Sequence, residues 1–343
     1  MKKKTSMPTV TDVARAAGVG AITVSRFVNG TSYVSATKKK KIQAAIDKLG
    51  YRPNQAARIL KGQRAQVIGV ILPDLADTFF GKCASAIENY ASSRGYMTVI
   101  VTSKHDRNIP ESEVSMLIGQ RVSGLIVVPS LSNKSLSRFL DEGIPIVALD
   151  RPLDGVASDE VVVENLGGAQ TAVEHLIDHG YKRIACVGYD RESHAVSHRI
   201  LGYANAMQSA GLKPELHLSI ESYEDTLKLV RSWSKSNDRP VAVFTLNNVA
   251  TRHMLEALRE VNLQIPQKMA LVGFDDLDLA KLLTPSLTVV RQPAAGLGAQ
   301  AARILFDRIS AAGNQESGFG IKLVLPVEFI IRNSCGCTGT PAA

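Results

Sequence analysis

Of the first sixty residues, Arg26 has the most specific chemistry open to it. A guanidinium carries two parallel donors, and a guanine edge in the major groove carries two acceptors. That match is worth roughly 1–3 kcal/mol against a wrong base. Its neighbours Ala21 and Ile22 offer only apolar contact, for instance to a thymine methyl. A second set of candidates is spread over the rest of the chain: Asp74, Asp77 to Phe80, Ser103, Asp150 and Arg151, Asn165, Arg199, Asn247 and Asn248, Asp275 and Asp276. Carboxylates take protons from hydroxyls, Arg and Asn amides supply donors, and an aromatic ring covers an apolar face. The set therefore suits a hydroxyl-rich ligand such as a carbohydrate.

The elements that position Arg26 read as helix, tight turn, helix. Thr9 with Asp12 three residues on has the form of a capping box, and Val10, Val13, Ala14 and Ala17 follow at helical spacing. Gly18 stops that helix, Val19 plugs the turn, and Ile22, Val24, Phe27 and Val28 resume the period. A helix-turn-helix offers the start of its second helix to the major groove, the place held by Ala21, Ile22 and Arg26. Ser35 is expected to cap a third helix over 36–49, ended by Gly50, with Lys38 to Lys41 beside the recognition unit. Residues 1–62 hold thirteen Lys and Arg against two Asp, whereas the remainder holds 27 against 30. Basicity confined to one module is the electrostatic footprint of phosphate binding.

The second candidate set sits beyond a different grammar. From Arg64 onward, short continuous apolar runs alternate with helical segments: 67–72, 97–101, 124–128 and 144–149, then a second series at 161–163, 183–188, 241–245 and 270–274. Runs without alternation imply sheets covered on both faces, hence two doubly wound α/β lobes with a cleft between them. In such sheets ligands bind beyond the carboxyl ends of the strands, where the polar residues above fall. Asp275 is also a candidate turn cap, and Asn247 a candidate cap for a helix from 248.

Other features exclude function classes. There is no glycine-rich phosphate loop, nucleophile elbow or paired catalytic His/Asp arrangement, so no enzymatic activity and no cofactor is expected. No signal-peptide core and no membrane-length apolar run is seen, which predicts a cytoplasmic, nucleoid-associated protein. Cys83, Cys186, Cys335 and Cys337 match no zinc spacing, and Cys335-Gly336-Cys337 is expected in a mobile tail as incidental thiols. His175 and His179 have a metal-compatible spacing but no third ligand nearby in sequence, which favours a solvated helix face and no metal.

Thr9 to Val19, then Thr23-Val24-Ser25-Arg26, Tyr51-Arg52-Pro53-Asn54, Ala57 and Leu60 closely resemble the headpiece and hinge of the lactose/galactose repressor (LacI/GalR) family of bacterial transcriptional regulators. The resemblance covers essentially the whole chain. It implies an N-terminal all-α helix-turn-helix headpiece (1–50), a hinge helix (51–62), and an α/β periplasmic-binding-protein-like core of two doubly wound parallel-sheet lobes (63–343). The amino-terminal lobe would take about 63–162 and 293–324, and the carboxy-terminal lobe about 163–290 and 325–340. It implies phosphate contacts from Thr9, Asn29, Tyr33, Ser35 and Asn54, with Ala57 facing the minor-groove floor and Leu60 wedged into the central base step.

For the core, the resemblance implies effector contacts from Arg199, Asn247 and Asp275, with Asp150 and Phe79 second. The implied protein is a homodimer that binds a near-palindromic operator, does not bind membrane, and responds allosterically to a sugar, sugar acid or sugar phosphate. Two positions depart from the family: Gly20 replaces the usual Ser or Thr, and Asn248 the usual Asp. The competing reading is a sugar-binding carrier or sugar-acting enzyme with an incidental basic leader, which would have a signal peptide and no helix-turn-helix.

Overall fold

The structure, a computed structural model, describes residues 8–29, 33–51, 64–103, 109–130, 134–155, 158–189, 193–220, 222–236, 239–311 and 320–338. The chain divides into two compact units, Met1–Ala65 and Gln66–Ala343.

The first unit holds α1 (Val10–Ala17), α2 (Ala21–Asn29) and α3 (Ala36–Leu49). The capping box is present: Thr9 N and Oγ1 donate to Asp12 Oδ2 at 3.0 and 2.7 Å, and Asp12 N returns a bond to Thr9 Oγ1 at 3.3 Å. Gly18 ends α1 in the left-handed region at φ +64°, where a Cβ would cost strain. Ser35 stands at the start of α3 but makes no side-chain bond to it, contrary to its expected role, so that helix begins on backbone contacts alone. Val13, Ala14, Ala17, Val24, Val34, Ile42, Ala45 and Tyr51 close a small core, with Val19 packed against it from the turn.

The second unit contains two six-stranded sheets. The first is ordered β11-β5-β4-β3-β1-β2, with β1 (Val67–Leu72), β2 (Met97–Thr102), β3 (Gly124–Val127), β4 (Ile146–Leu149), β5 (Asp159–Val163) and β11 (Lys322–Leu325), all parallel. The second is ordered β12-β10-β9-β8-β6-β7, with β6 (Ile184–Val187), β7 (Glu215–His217), β8 (Ala242–Thr245), β9 (Ala270–Phe274), β10 (Thr288–Arg291) and β12 (Glu328–Ile330). Its members are parallel except the antiparallel edge strand β12. One expectation is corrected: 161–163 does not open the second series. As β5 it sits inside the first sheet, because both β4 and β11 pair with it and the chain turns away only at Glu164.

Helices cover these sheets: α4 (Thr78–Ser93), α5 (Glu111–Gly119), α6 (Ser137–Asp141), α7 (Asn165–Asp178), α8 (His194–Ser209), α9 (Tyr223–Ser234), α10 (Asn248–Glu260) and α11 (Ala294–Ala311). The chain passes between lobes three times, from β5 into α7, from β10 into α11 and from β11 into β12, and Val327 at the last crossing packs against the cores of both lobes. The central strands β3, β4, β6, β8 and β9 are buried throughout and apolar except for Thr245 of β8, as sheets covered on both faces require.

The crossing from β10 is pinned by an ion cluster. Asp276 accepts from Arg332 Nη1 and Nη2, both at 3.0 Å, and from Arg291 Nε at 2.9 Å, while Arg332 is only 5% exposed. Burial raises the Asp276 pKa, but the bonds from Arg332 and Arg291 outweigh it and hold the carboxyl below its ordinary value. Its contribution is therefore complete above the ordinary carboxylate range and is lost as pH falls through the depressed value. Asp276→Asn strands a buried guanidinium and is expected to cost about 3 kcal/mol in urea unfolding at neutral pH, with the difference from wild type shrinking on acidification.

Candidate functional site

In the first unit the site is the exposed start of α2. Ala21 and Arg26 are exposed and Ile22 is 70% exposed, leaving an isoleucine in water that takes no part in the core. Thr9 is exposed, Tyr33 is 88% exposed, Ser35 is half-buried with its hydroxyl outside any cap, and Asn29 closes α2. Lys38 to Lys41 are all exposed near the start of α3. Gly20 begins α2 through its carbonyl, which accepts from Thr23 N at 2.9 Å and Val24 N at 3.2 Å; a Cβ there would meet only Thr23 Oγ1, at 4.0 Å. Ser or Thr would fit, so the departure from the family pattern removes a cap without being forced by packing. Asn54, Ala57 and Leu60 lie outside the described residues.

In the second unit the candidates converge on the facing ends of the two sheets, around one guanidinium. Arg199, on α8 and 3% exposed, lies 3.7 Å over the ring of Phe274, and donates through Nε to Asn165 Oδ1 and through Nη1 to Leu246 O, each at 2.8 Å. Asp275 and Asp150, both buried, follow β9 and β4 with φ of +79° and +70°, left-handed values that turn each carboxylate away from its strand. Burial raises the pKa of Asp275, while Arg199 and a short bond from Gln292 Nε2 pull it back; Asn248 N donates to its second oxygen at 3.1 Å.

Two of the implied ligand residues each have one oxygen engaged within the protein. Asn247 Oδ1 accepts from Ala250 N at 2.8 Å, the cap that its place before α10 also allowed. Asp150 Oδ2 receives Arg151 Nε and Nη2 at 3.1 and 3.0 Å, so Arg151 is held by an acid rather than facing a ligand alone. Phe79, near the start of α4 and 9% exposed, packs edge-on against Phe80.

Three buried polar residues escaped the sequence reading: among the described residues, Gln292 Oε1, which lines the cleft, and Ser193 Oγ and His194 Nδ1, the latter within reach of the Asp150 charge, find no hydrogen-bond partner. Burial, His198 and Lys322 hold His194 toward its neutral form, with Asp154 and Asp150 pulling the other way. Gln292 follows β10, a strand too short to stand out between Pro285 and Pro293, and Ser193 and His194 begin a helix with no capping bond to announce them. Thr78, Phe79, Lys82, Asn248, Asp275 and Gln292 are among the residues that line a cavity of about 440 Å³ between the lobes. A groove of about 1630 Å³ is larger but is lined by neither Asp275 nor Gln292, whereas Arg199 and Asp150 line neither space and stand behind the walls of the cleft.

A basic helix-turn-helix joined to a two-lobed core with a polar cleft defines a ligand-responsive transcription regulator. Residues 9–54 match the model for bacterial regulatory proteins of the lacI family, and residues 173–335 match that for a periplasmic binding protein-like domain. The ribose operon repressor of Escherichia coli is 32% identical over 93% of this chain and 98% of its own length. Among solved structures, the lac repressor dimer bound to operator and the anti-inducer ONPF has a TM-score of 0.80 at 25% identity, covering 96% of this chain and 99% of that one. A complex of the transcriptional regulator CelR with cellobiose has a TM-score of 0.67 at 29% identity, covering 95% and 99%. The chain belongs to the LacI family of bacterial transcription regulators.

The Asn248 departure acquires a role in this geometry. Its Nδ2 donates across the cleft to Asp77 Oδ1 at 2.8 Å, alongside an ion pair between Lys82 and Asp278. An aspartate at 248 would set two carboxylates face to face. Asn248→Asp is expected to bias the lobes apart by about 2 kcal/mol, seen as a larger radius of gyration in solution scattering; an unchanged radius would show that the bond does not hold the lobes together.

Proposed function

We propose that this regulator is a homodimeric, cytoplasmic and nucleoid-associated repressor, with no enzymatic step, that grips a near-palindromic operator and is controlled by a sugar in the cleft. Its functional division is a headpiece over 1–50, a linker over 51–62 and an effector-binding and dimerisation core over 63–343. Arg26 reads a guanine, with Ala21 and Ile22 making apolar base contacts; Thr9, Asn29, Tyr33, Ser35 and Asn54 hold phosphates, and Ala57 and Leu60 enter the minor groove. Exposed Leu279 (64%) and Leu282 (70%), lining the larger groove, support a self-association face.

The observation that carries the effector reading is that Ser193 Oγ, His194 Nδ1 and Gln292 Oε1 are buried and find no partner among the described residues, alongside the buried charges of Arg199, Asp150 and Asp275. Buried polar atoms need partners, and a polyhydroxylated ligand supplies both donors and acceptors. The engagement of Arg151 by Asp150 favours a neutral sugar over a sugar acid or sugar phosphate. The cellobiose held by CelR supports the same class. An effector acts on the operator only through unequal affinity for the two lobe arrangements, and Asp77–Asn248 and Lys82–Asp278, which join the lobes across the cleft, are contacts through which such a difference would act.

Two substitutions separate the halves. Arg199→Ala is expected to abolish the heat of sugar binding in calorimetry while operator affinity stays within about twofold; normal sugar uptake would refute the cleft assignment. Arg26→Ala is expected to relax preference at one base pair per half-site by about 1–3 kcal/mol in a randomised-operator selection, leaving the cleft unaffected.

A further inference from the structure

The expectation of a mobile tail does not hold for residues 335–337. Cys335 is buried, Cys337 is half-buried, and both lie against the end of α7, where His175 occupies the last turn and His179 the position just after it. The donor atoms of His175, His179, Cys335 and Cys337 all lie within 4.8 Å of one another. His179 Nε2 is 3.1 Å and His175 Nε2 3.8 Å from Cys337 Sγ. We propose that these four side chains form a tetrahedral zinc site that clips the carboxy-terminal segment of the second lobe to α7.

The geometry suits that metal. Zinc bonds of about 2.3 Å to sulfur and 2.0–2.1 Å to nitrogen put neighbouring ligand atoms of a tetrahedron roughly 3.3–3.8 Å apart. The two measured separations bracket this range, and the widest pair closes to it by about an ångström. Two imidazoles and two thiolates are a donor set that suits a single zinc ion among the divalent ions abundant in cells. On binding, both thiols release their protons to solvent, and the two thiolates neutralise the ion, so no net charge is placed on a half-buried surface.

The surroundings are built to hold this arrangement. Gly336 has φ of +105°, which turns the Cys-Gly-Cys segment so that both sulfurs face one point, and a Cβ there would meet Tyr181 Oη at 2.8 Å. Asn333 ties the loop: its Nδ2 donates to Cys337 O at 3.0 Å, its carbonyl accepts from Gly336 N at 3.1 Å, and its Oδ1 accepts from Ser286 Oγ at 2.8 Å. Thr288 Oγ1 donates to Cys335 Sγ at 3.2 Å, and Phe329 meets the His175 ring edge-on with centroids 5.1 Å apart. Partners of this kind orient metal ligands. The ligands come as pairs about 160 residues apart in sequence, so neither pair shows a zinc spacing by itself. α7 begins at Asn165, the residue that holds Arg199, so the clip anchors the far end of the helix that positions the cleft.

The test uses the full chain, reduced and stripped with chelator, then titrated with zinc against a chromophoric chelator and separately with cobalt(II). One zinc per chain is expected, together with the visible spectrum of tetrahedral cobalt and a thiolate-to-metal charge-transfer band. His179→Ala and Cys337→Ser, at exposed and half-buried positions that a fold tolerates, should each weaken zinc binding by about 100-fold or more. Zinc should raise the melting temperature of the wild type and not of the double variant. Equal zinc affinity in wild type and double variant, an octahedral cobalt spectrum, or a Cys335–Cys337 disulfide in place of bound metal under reducing conditions would each overturn the site.

Discussion

A guanidinium taken out of water keeps its charge, so Arg199, at 3% exposure, has to be met by acceptors and by other charges. Asn165 Oδ1, the Leu246 carbonyl and the face of Phe274 take three of its approaches, and Asp275 and Asp150 supply countercharge. Each of these groups is fixed by a different element: the start of α7, the end of β8, β9 and the turns after β9 and β4. Satisfying one buried charge thus draws together pieces of both lobes, and the polar atoms left over define what the cleft lacks.

The topology makes this possible. Parallel strands end together, so the loops after β4, β8, β9 and β10 open on a common space, and two of the three crossings between lobes pass beside it, at Asn165 and at Gln292. Residues at a crossing feel any rotation of one lobe against the other. Asn248 and Lys82, reaching across the same space, let the relative free energy of the lobe arrangements depend on one hydrogen bond and one ion pair.

What could be read in advance depended on whether the signal was local. The capping box at Thr9, the turn at Gly18 and the continuous apolar strands were legible because neighbouring residues decide them. Ser35 misled because a good cap residue need not use its side chain, and β10 and the edge strands β7, β11 and β12 were missed because strands of three or four residues carry little pattern. Within the cleft, residue type and strand-end position marked Arg199, Asp150 and Asp275, but not whether an oxygen was already taken: Asn247 caps a helix and Asp276 braces Arg332. The gathering of His175 and His179 with Cys335 and Cys337 was invisible because only the fold brings the two pairs together.

If occupancy of the cleft sets the grip of the helix-turn-helix, reciprocal titration of sugar and operator reads the coupling out. An operator selected by the protein from random duplexes is titrated by fluorescence anisotropy at fixed salt, alone and with the sugar that most raises the melting temperature in a panel including ribose and cellobiose; the sugar is then titrated with and without the operator. The sugar is expected to change operator affinity about 5–150-fold, and the operator to change sugar affinity by the same factor. A sugar that saturates the cleft and leaves operator affinity unmoved would contradict it.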